Sequence, residues 1–151
     1  MLSISDAGLL PVDRLFDGVP DIVYFVKDAQ CRYLSVNDTL AKRCGLASKK
    51  DVIGRTAEEL FPKSLGAAFA EQDRILLETG ESIRDHLEIH LYPSGGSGWC
   101  LTYKEPVLDP NGKVIGICGI SRDIRHPVES GDNYAALAEC IDYIHNHICN
   151  Y

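Results

Sequence analysis

The sequence predicts an α+β fold: a five-stranded antiparallel sheet with short helices packed on one face, followed by a C-terminal helix. Three observations carry this. Two β-branched and aromatic runs stand side by side near the N-terminus, and three more follow a middle stretch of helical periodicity. Within each group the runs are joined by segments too short for a parallel crossover, so neighbours must pair antiparallel. Beyond a polar break, apolar residues return at helical spacing.

Leu10, Leu15, Phe16 and Val19 suggest a short amphipathic helix over 9–19, with Pro11 early and Gly18 late, where each is tolerated. Ile22-Val23-Tyr24-Phe25-Val26 reads as a buried strand, Lys27-Asp28-Ala29-Gln30 as a turn, and Cys31 to Val36 as the return strand. Asn37-Asp38 is a good cap for a short helix over Thr39 to Cys44, stopped by Gly45. Ser48 to Val52 is a polar link, and Gly54 to Leu60 is a second short helix ended by Phe61-Pro62. A longer helix runs from Leu65 to Thr79, with Ala68, Phe69, Ile75 and Leu76 toward one face and Gly80 closing it.

After Gly80 the period switches to two. Ile83 to Leu91 is a strand, 92–98 a loose loop, Trp99 to Val107 a strand, Asp109-Pro110-Asn111-Gly112 a tight turn, and Lys113 to Ile124 the last strand. Residues 127–132 form a polar linker. In 133–151, Tyr134, Leu137, Ile141, Ile144 and Ile148 recur at spacings of three and four, the narrow seam of an amphipathic helix.

Composition narrows the function. The 151 residues carry a net charge of -7, and the densest basic pair is Lys49-Lys50, which argues against gripping a phosphate backbone within this chain. No apolar run approaches the roughly 18 residues of a membrane span, and residues 1–9 read as a tail without the basic start of a signal peptide. A cytoplasmic protein is expected. Six cysteines, at 31, 44, 100, 118, 140 and 149, have irregular gaps and no C-x-x-C pair, so free thiols are expected in place of zinc ligands or disulfides.

The words along this order resemble a known family. Ile22 to Asp28 with Arg32-Tyr33-Leu34-Ser35-Val36-Asn37 resembles the opening hairpin of a PAS domain. Trp99, Lys104-Glu105-Pro106-Val107, Asp109, Gly112 and Gly116 to Arg125 resemble its closing hairpin, with Arg125 where the family usually has threonine. The resemblance covers residues 10–126 and implies a sensor that binds haem, flavin, another small molecule or a partner protein between sheet and helices, often as a dimer. Ile141-Asp142-Tyr143-Ile144-His145-Asn146-His147 resembles, more weakly, the first helix of the DNA-binding half of AraC-type regulators. DNA contact would then need a further C-terminal domain, and 133–151 would act as a signalling helix.

The candidate chemistries separate on residue type. The helix 65–79 holds no histidine and the only methionine is Met1, which argues against haem; His86 and His90 are the remaining possible ligands. Gly54-Arg55-Thr56-Ala57-Glu58-Glu59 lacks the cysteine that flavin photochemistry requires in the light-sensing members. His86, Glu88 and His90 share one strand face at a spacing within reach of a metal. The simpler reading has Leu87, Ile89 and Leu91 on the core face and no metal. Cys44, Cys100 and Cys118 have no catalytic signature, and no enzyme activity is expected. Lys27, Asp28, Arg122 and Asp123 read as ion pairs at turns and edges.

By family position Val23, Phe25, Ile115, Ile117, Gly119 and Ser121 face a ligand pocket, together with Cys100, Thr102 and Lys104. Apolarity alone turns Trp99, Leu101 and Tyr103 inward instead. Either a small cavity has Cys100, Thr102, Ser121 and Lys104 as polar points, suited to an organic acid, or the core is packed and Lys104 reaches outward. Two functions follow. One is a ligand sensor relaying through the C-terminal helix to an effector, a transcriptional regulator being expected. The other is a ligand-free dimerisation module whose interface joins Trp99 and Tyr103, the N-terminal helix, and the Tyr134, Leu137, Ile141, Ile144 and Ile148 seam.

Overall fold

The structure is a computed structural model, and it describes residues 11–92 and 96–124. The expected C-terminal helix, with Tyr134, Leu137, Ile141, Ile144 and Ile148, lies outside the described residues. The elements are α1 (Val12–Asp17), β1 (Ile22–Asp28), β2 (Tyr33–Val36), α2 (Asp38–Arg43), α3 (Ala57–Leu60), α4 (Lys63–Thr79), β3 (Ile83–Leu91), β4 (Ser97–Leu108) and β5 (Val114–Asp123). The sheet has the order β2-β1-β5-β4-β3 and every pairing is antiparallel. Among the described residues no helix is long and apolar enough to cross a membrane.

Local chemistry explains where the elements start and stop. The hairpin turn is longer than expected. Cys31 adopts a left-handed φ of 60°, and the Asp28 carboxylate accepts from the amides of Gln30 and Arg32, so β2 begins only at Tyr33. The polar link contains a short 3-10 turn, Lys49–Asp51, held by a reciprocal capping box between Ser48 and Asp51. The second short helix begins at Ala57 because Gly54 has φ +83° and Thr56 is its N-cap. Gly80 ends α4 at φ 70°, a conformation that costs glycine nothing.

Asn37 joins α2 to the sheet. Its Oδ1 accepts from the amides of Leu40 and Tyr24, and its Nδ2 donates to the carbonyls of Ile22 and Phe16. The core lies between the sheet and α2, α3 and α4, with Val23, Phe25, Val36, Leu40, Val52, Phe69, Leu76 and Ile117 at its centre. Across the opposite face, α1 lays Phe16 flat on Tyr24, ring centroids 5.1 Å apart.

Two expectations about faces are overturned. On α4 the buried stripe is Gly66, Phe69, Asp73 and Leu76, whereas Ala68 and Ile75 are exposed. The stripe carries an aspartate, so apolarity alone rotated the helix. On β3 the inward residues are Glu88 and His90, while Leu87 is 47% exposed. Register decides this. Glu88 pairs with Cys100 and Leu87 with Leu101, and β4 turns Cys100, Thr102 and Lys104 inward. The conflict over β4 is thereby resolved for the family positions, and Trp99, Leu101 and Tyr103 are half-buried on the outer face.

Replacing Asn37 by Ala removes a cap and three further bonds at a fully buried site. Urea unfolding should show a loss of about 2–3 kcal/mol; a loss below about 1 kcal/mol would show that these bonds do not anchor α2.

Candidate functional site

The inward face of β1 runs Val23, Phe25, Lys27, by strand alternation. Lys27 therefore enters the core; it is not the turn ion pair expected from its place at the end of an apolar run. Its side chain is 2% exposed. Lys104 of β4 is 3% exposed and comes from the next strand but one. Asp73 descends from the α4 stripe at 0% exposure and takes one ammonium on each oxygen: Lys27 on Oδ2, and Lys104 at 2.7 Å on Oδ1. The Lys27 ammonium also lies over the Tyr33 ring, 4.5 Å from its centroid, and both lysines face the Phe25 ring.

Two cations share one carboxylate, and their titration follows. Burial alone would raise Asp73, but the charges of Lys27 and Lys104 outweigh it and hold the carboxyl below its ordinary value. Burial pulls Lys104 down, with the charge of Lys27 adding to it and Asp73 opposing.

A cavity of about 30 Å³ borders this cluster, room for about two waters. Val23, Phe25 and Lys27 of β1, Tyr33, Leu40, Phe61 and Phe69, Glu88 and His90 of β3, Lys104 and Ser121 line it. Of the pocket residues expected from sequence, Val23, Phe25, Lys104 and Ser121 are in the wall. Cys100, Thr102 and Ile117 are buried on the same side of the sheet without lining the cavity. Gly119 lies under Phe25: a Cβ there would come within 2.6 Å of the ring, so only glycine lets this ring lie against β5. Ile115 is half-buried.

The far end of the cavity is built differently. The Glu88 carboxylate accepts from Thr102 Oγ1 and, at 3.0 Å, from Gln72 Nε2. Thr102 has spent its proton on Glu88, so Ser121 donates to it at 2.8 Å. His90 Nδ1 lies 2.9 Å from Arg43 Nη1, and Arg43 Nη2 binds Asp123. A guanidinium only donates, so Nδ1 accepts and the imidazole proton sits on Nε2. Burial and the Arg43 charge push His90 down to about 4, so the ring is neutral near pH 7. Asp123, expected as an edge ion pair, is in fact half-buried against Arg43.

Glu88, His90 and Cys100 place ligand atoms within 4.8 Å of one another. The donor set does not suit a cation. Burial and the neighbouring Glu88 push the Cys100 thiol up to about 12, and Arg43 holds a positive charge against His90 in the tautomer opposite to the usual metal ligand. His86 is exposed and outside the cluster. Burial likewise raises the Cys44 and Cys118 thiols, which leaves no thiolate among the three candidate nucleophiles.

With this geometry in place the likenesses can be weighed. The family model described as PAS fold matches residues 16–129. The chain belongs to the PAS family. This PAS domain is 34% identical over 107 residues to the methanogenesis regulatory histidine kinase FilI of Methanothrix harundinacea; the match covers 71% of the chain but 12% of that relative. The Vibrio cholerae VqmA dimer is similar at TM-score 0.65 and 31% identity, covering 78% of this chain and 53% of that one. VqmA bound to DPO matches at the same score and identity. The PAS domain of Bordetella pertussis BvgS, 22% identical with TM-score 0.63, shares the fold over 92% of this chain and 98% of its own.

Glu88 and His90 entered the sequence reading only as candidate metal or haem ligands, and Lys27 and Asp73 were not among the expected site residues. Two signals marked Lys27 and Asp73: a lysine at inward parity on β1, and an aspartate on the apolar stripe of α4, four residues after Phe69 and three before Leu76.

Two predictions follow from the charges. Asp73→Asn leaves two buried ammoniums without a carboxylate and should cost about 3–5 kcal/mol in chemical denaturation, while the apolar triple variant K27M/D73L/K104M should recover most of it. Between pH 6.5 and about 4 the unfolded chain protonates His90 and the folded one does not. Stability should therefore fall as pH drops through that window, by on the order of 3 kcal/mol for this group. Thermal unfolding across pH should show the slope flattened in His90→Gln; an unchanged slope would assign it to other groups.

Proposed function

We propose that this sensory PAS domain receives a small organic ligand with an acidic or anionic group, bound between sheet and helices, and passes its state to an attached effector. The observation that carries the reading is the buried Lys27–Asp73–Lys104 cluster beside a cavity. Two ammoniums on one carboxylate leave a local excess of positive charge at the end of the cavity away from Glu88, and an anionic oxygen entering there relieves it. The aromatic wall of Phe25, Tyr33, Phe61 and Phe69 suits a flat apolar body. Its likeness to VqmA, which has been solved bound to DPO, supports a small ligand.

The cavity of about 30 Å³ has room only for molecules the size of water. A larger ligand would select a conformation in which the wall around Phe61 and Phe69 opens, a population shift that the α4 contact through Asp73 would feel. The output is read as regulatory binding and not turnover, since the site offers no activated nucleophile. Its likeness to the FilI histidine kinase and to VqmA, described among LuxR-type receptors, is consistent with either a kinase or a transcriptional effector; the transcriptional one is proposed.

The outer sheet face favours a second reading, homodimerisation. Trp99, Leu101 and Tyr103 lie there beside Leu87, and Ile124 is also exposed. Native mass spectrometry of the purified chain tests both. A co-purified small molecule, or a thermal shift with small carboxylic acids that Lys104→Met abolishes, supports the ligand reading. A dimer with no added mass and no shift across that panel would overturn it in favour of the dimerisation module.

A further inference from the structure

Arg43 touches both the cavity wall and the end of the last described strand. It is the final residue of α2, and its side chain is 4% exposed. One arm of the guanidinium meets His90, which lines the cavity, and the other meets Asp123, the last residue of β5. The Tyr92 ring covers the guanidinium, with its centroid 5.0 Å from Cζ. The fork is planar and rigid, so one arm cannot follow a moving partner without turning the other. The strand end that Arg43 holds is also tied by two backbone bonds, Asp123 N–H to the Asp21 carbonyl and Ile124 N–H to the Trp99 carbonyl, both 2.9 Å.

We propose that Arg43 is a relay: it joins the cavity wall at His90 to the point where the chain leaves the sheet at Asp123, so that a change at His90 loosens or tightens that exit. The mechanism is a competition within the cavity. His90 presents Nε2–H away from Arg43, the only other polar atom of its ring. A ligand acceptor that draws on this proton pulls the ring, shifts Nδ1 from Nη1, and rotates the guanidinium on Asp123. The two states are the fork seated on both partners and the fork seated on one. The linker expected from sequence at 127–132 begins three residues past Ile124, so the relay acts where a C-terminal output segment would join the sheet. The inference rests on the ligand reading only for what moves His90. The coupling is built from the chain's own residues and can be tested without a ligand, so its failure is distinguishable from failure of that reading.

The test is residue-resolved amide hydrogen exchange on the full 151-residue chain. His90→Leu deprives Arg43 of its acceptor. Exchange at the Asp123 and Ile124 amides should quicken about tenfold or more, the equivalent of losing one charge-assisted hydrogen bond. The Tyr33 amide, bonded to the Arg55 carbonyl at the other edge of the sheet, should stay unchanged. In an Arg43→Met background His90→Leu should have no further effect at 123 and 124. His90→Gln, whose amide oxygen can accept from Arg43, should exchange like the wild type. If His90→Leu does not fold, Arg43→Lys takes its place. It keeps a charge for Asp123 but offers one ammonium where the fork had two arms, and should reproduce the fast exchange. An equal rise at Tyr33, no rise at 123 and 124, or a His90 effect that survives the loss of Arg43 would each overturn the relay.

Discussion

The carboxylate of Asp73, shared between Lys27 and Lys104, is the constraint on which the rest of this domain depends. It joins β1, α4 and β4 through groups almost wholly removed from water. Desolvating such ions costs several kcal/mol each, and an apolar trio of the same volume would hold the helix on the sheet at less cost. The charges therefore set position more than stability. Asp73 must stand over the sheet where two inward lysines converge, which fixes the rotation of α4. The same ions shape the cavity. Phe25 and Tyr33 turn ring faces to the ammoniums, and aromatic faces held at cation–π distance leave a gap that branched side chains would have filled.

The cavity has a polarity of its own. At one end are the two lysines. At the other are Glu88, satisfied by Thr102 and Gln72, and His90, neutral and locked by Arg43. Register separates the ends: Glu88 pairs beside Cys100 and His90 beside Gly98, whereas Lys104 lies four residues past Cys100 along β4, about 13 Å at strand spacing, and further still from Gly98. A cavity with a cationic end, a fixed donor at the other and aromatic walls between them would orient a ligand of the kind proposed. Fold likeness does not supply that information, since BvgS at 22% identity and VqmA at 31% share the same architecture.

Much of the architecture was legible along the chain. Strands separated by short turns had to pair antiparallel, and the Asn37 cap and Gly80 stop acted through neighbours three or four residues away. The family positions on β1, β4 and β5 named Val23, Phe25, Lys104 and Ser121, all of which line the cavity. Reading by apolarity failed where a polar residue occupies a core position. It turned β3 over, because Leu87 and Ile89 look like a core face and Glu88 and His90 like a solvated one. It rotated α4, because Asp73 breaks an otherwise apolar stripe.

The sequence by itself determined the order of elements, most of the turns and caps between them, and the period-two alternation of the strands, all of which are set by contacts within a few residues. Only the tertiary structure decided which parity faces inward and what the buried charges meet. Lys27 and Asp73 are 46 residues apart, Lys104 and Asp73 31, Arg43 and Asp123 80. A charged side chain reads as solvated until its partner is known, and these partners are brought together only when helix and sheet close on each other. Pairing across such distances makes a lysine or an aspartate a core residue, and while strand parity and the α4 stripe could flag such a residue, no local pattern names its partner.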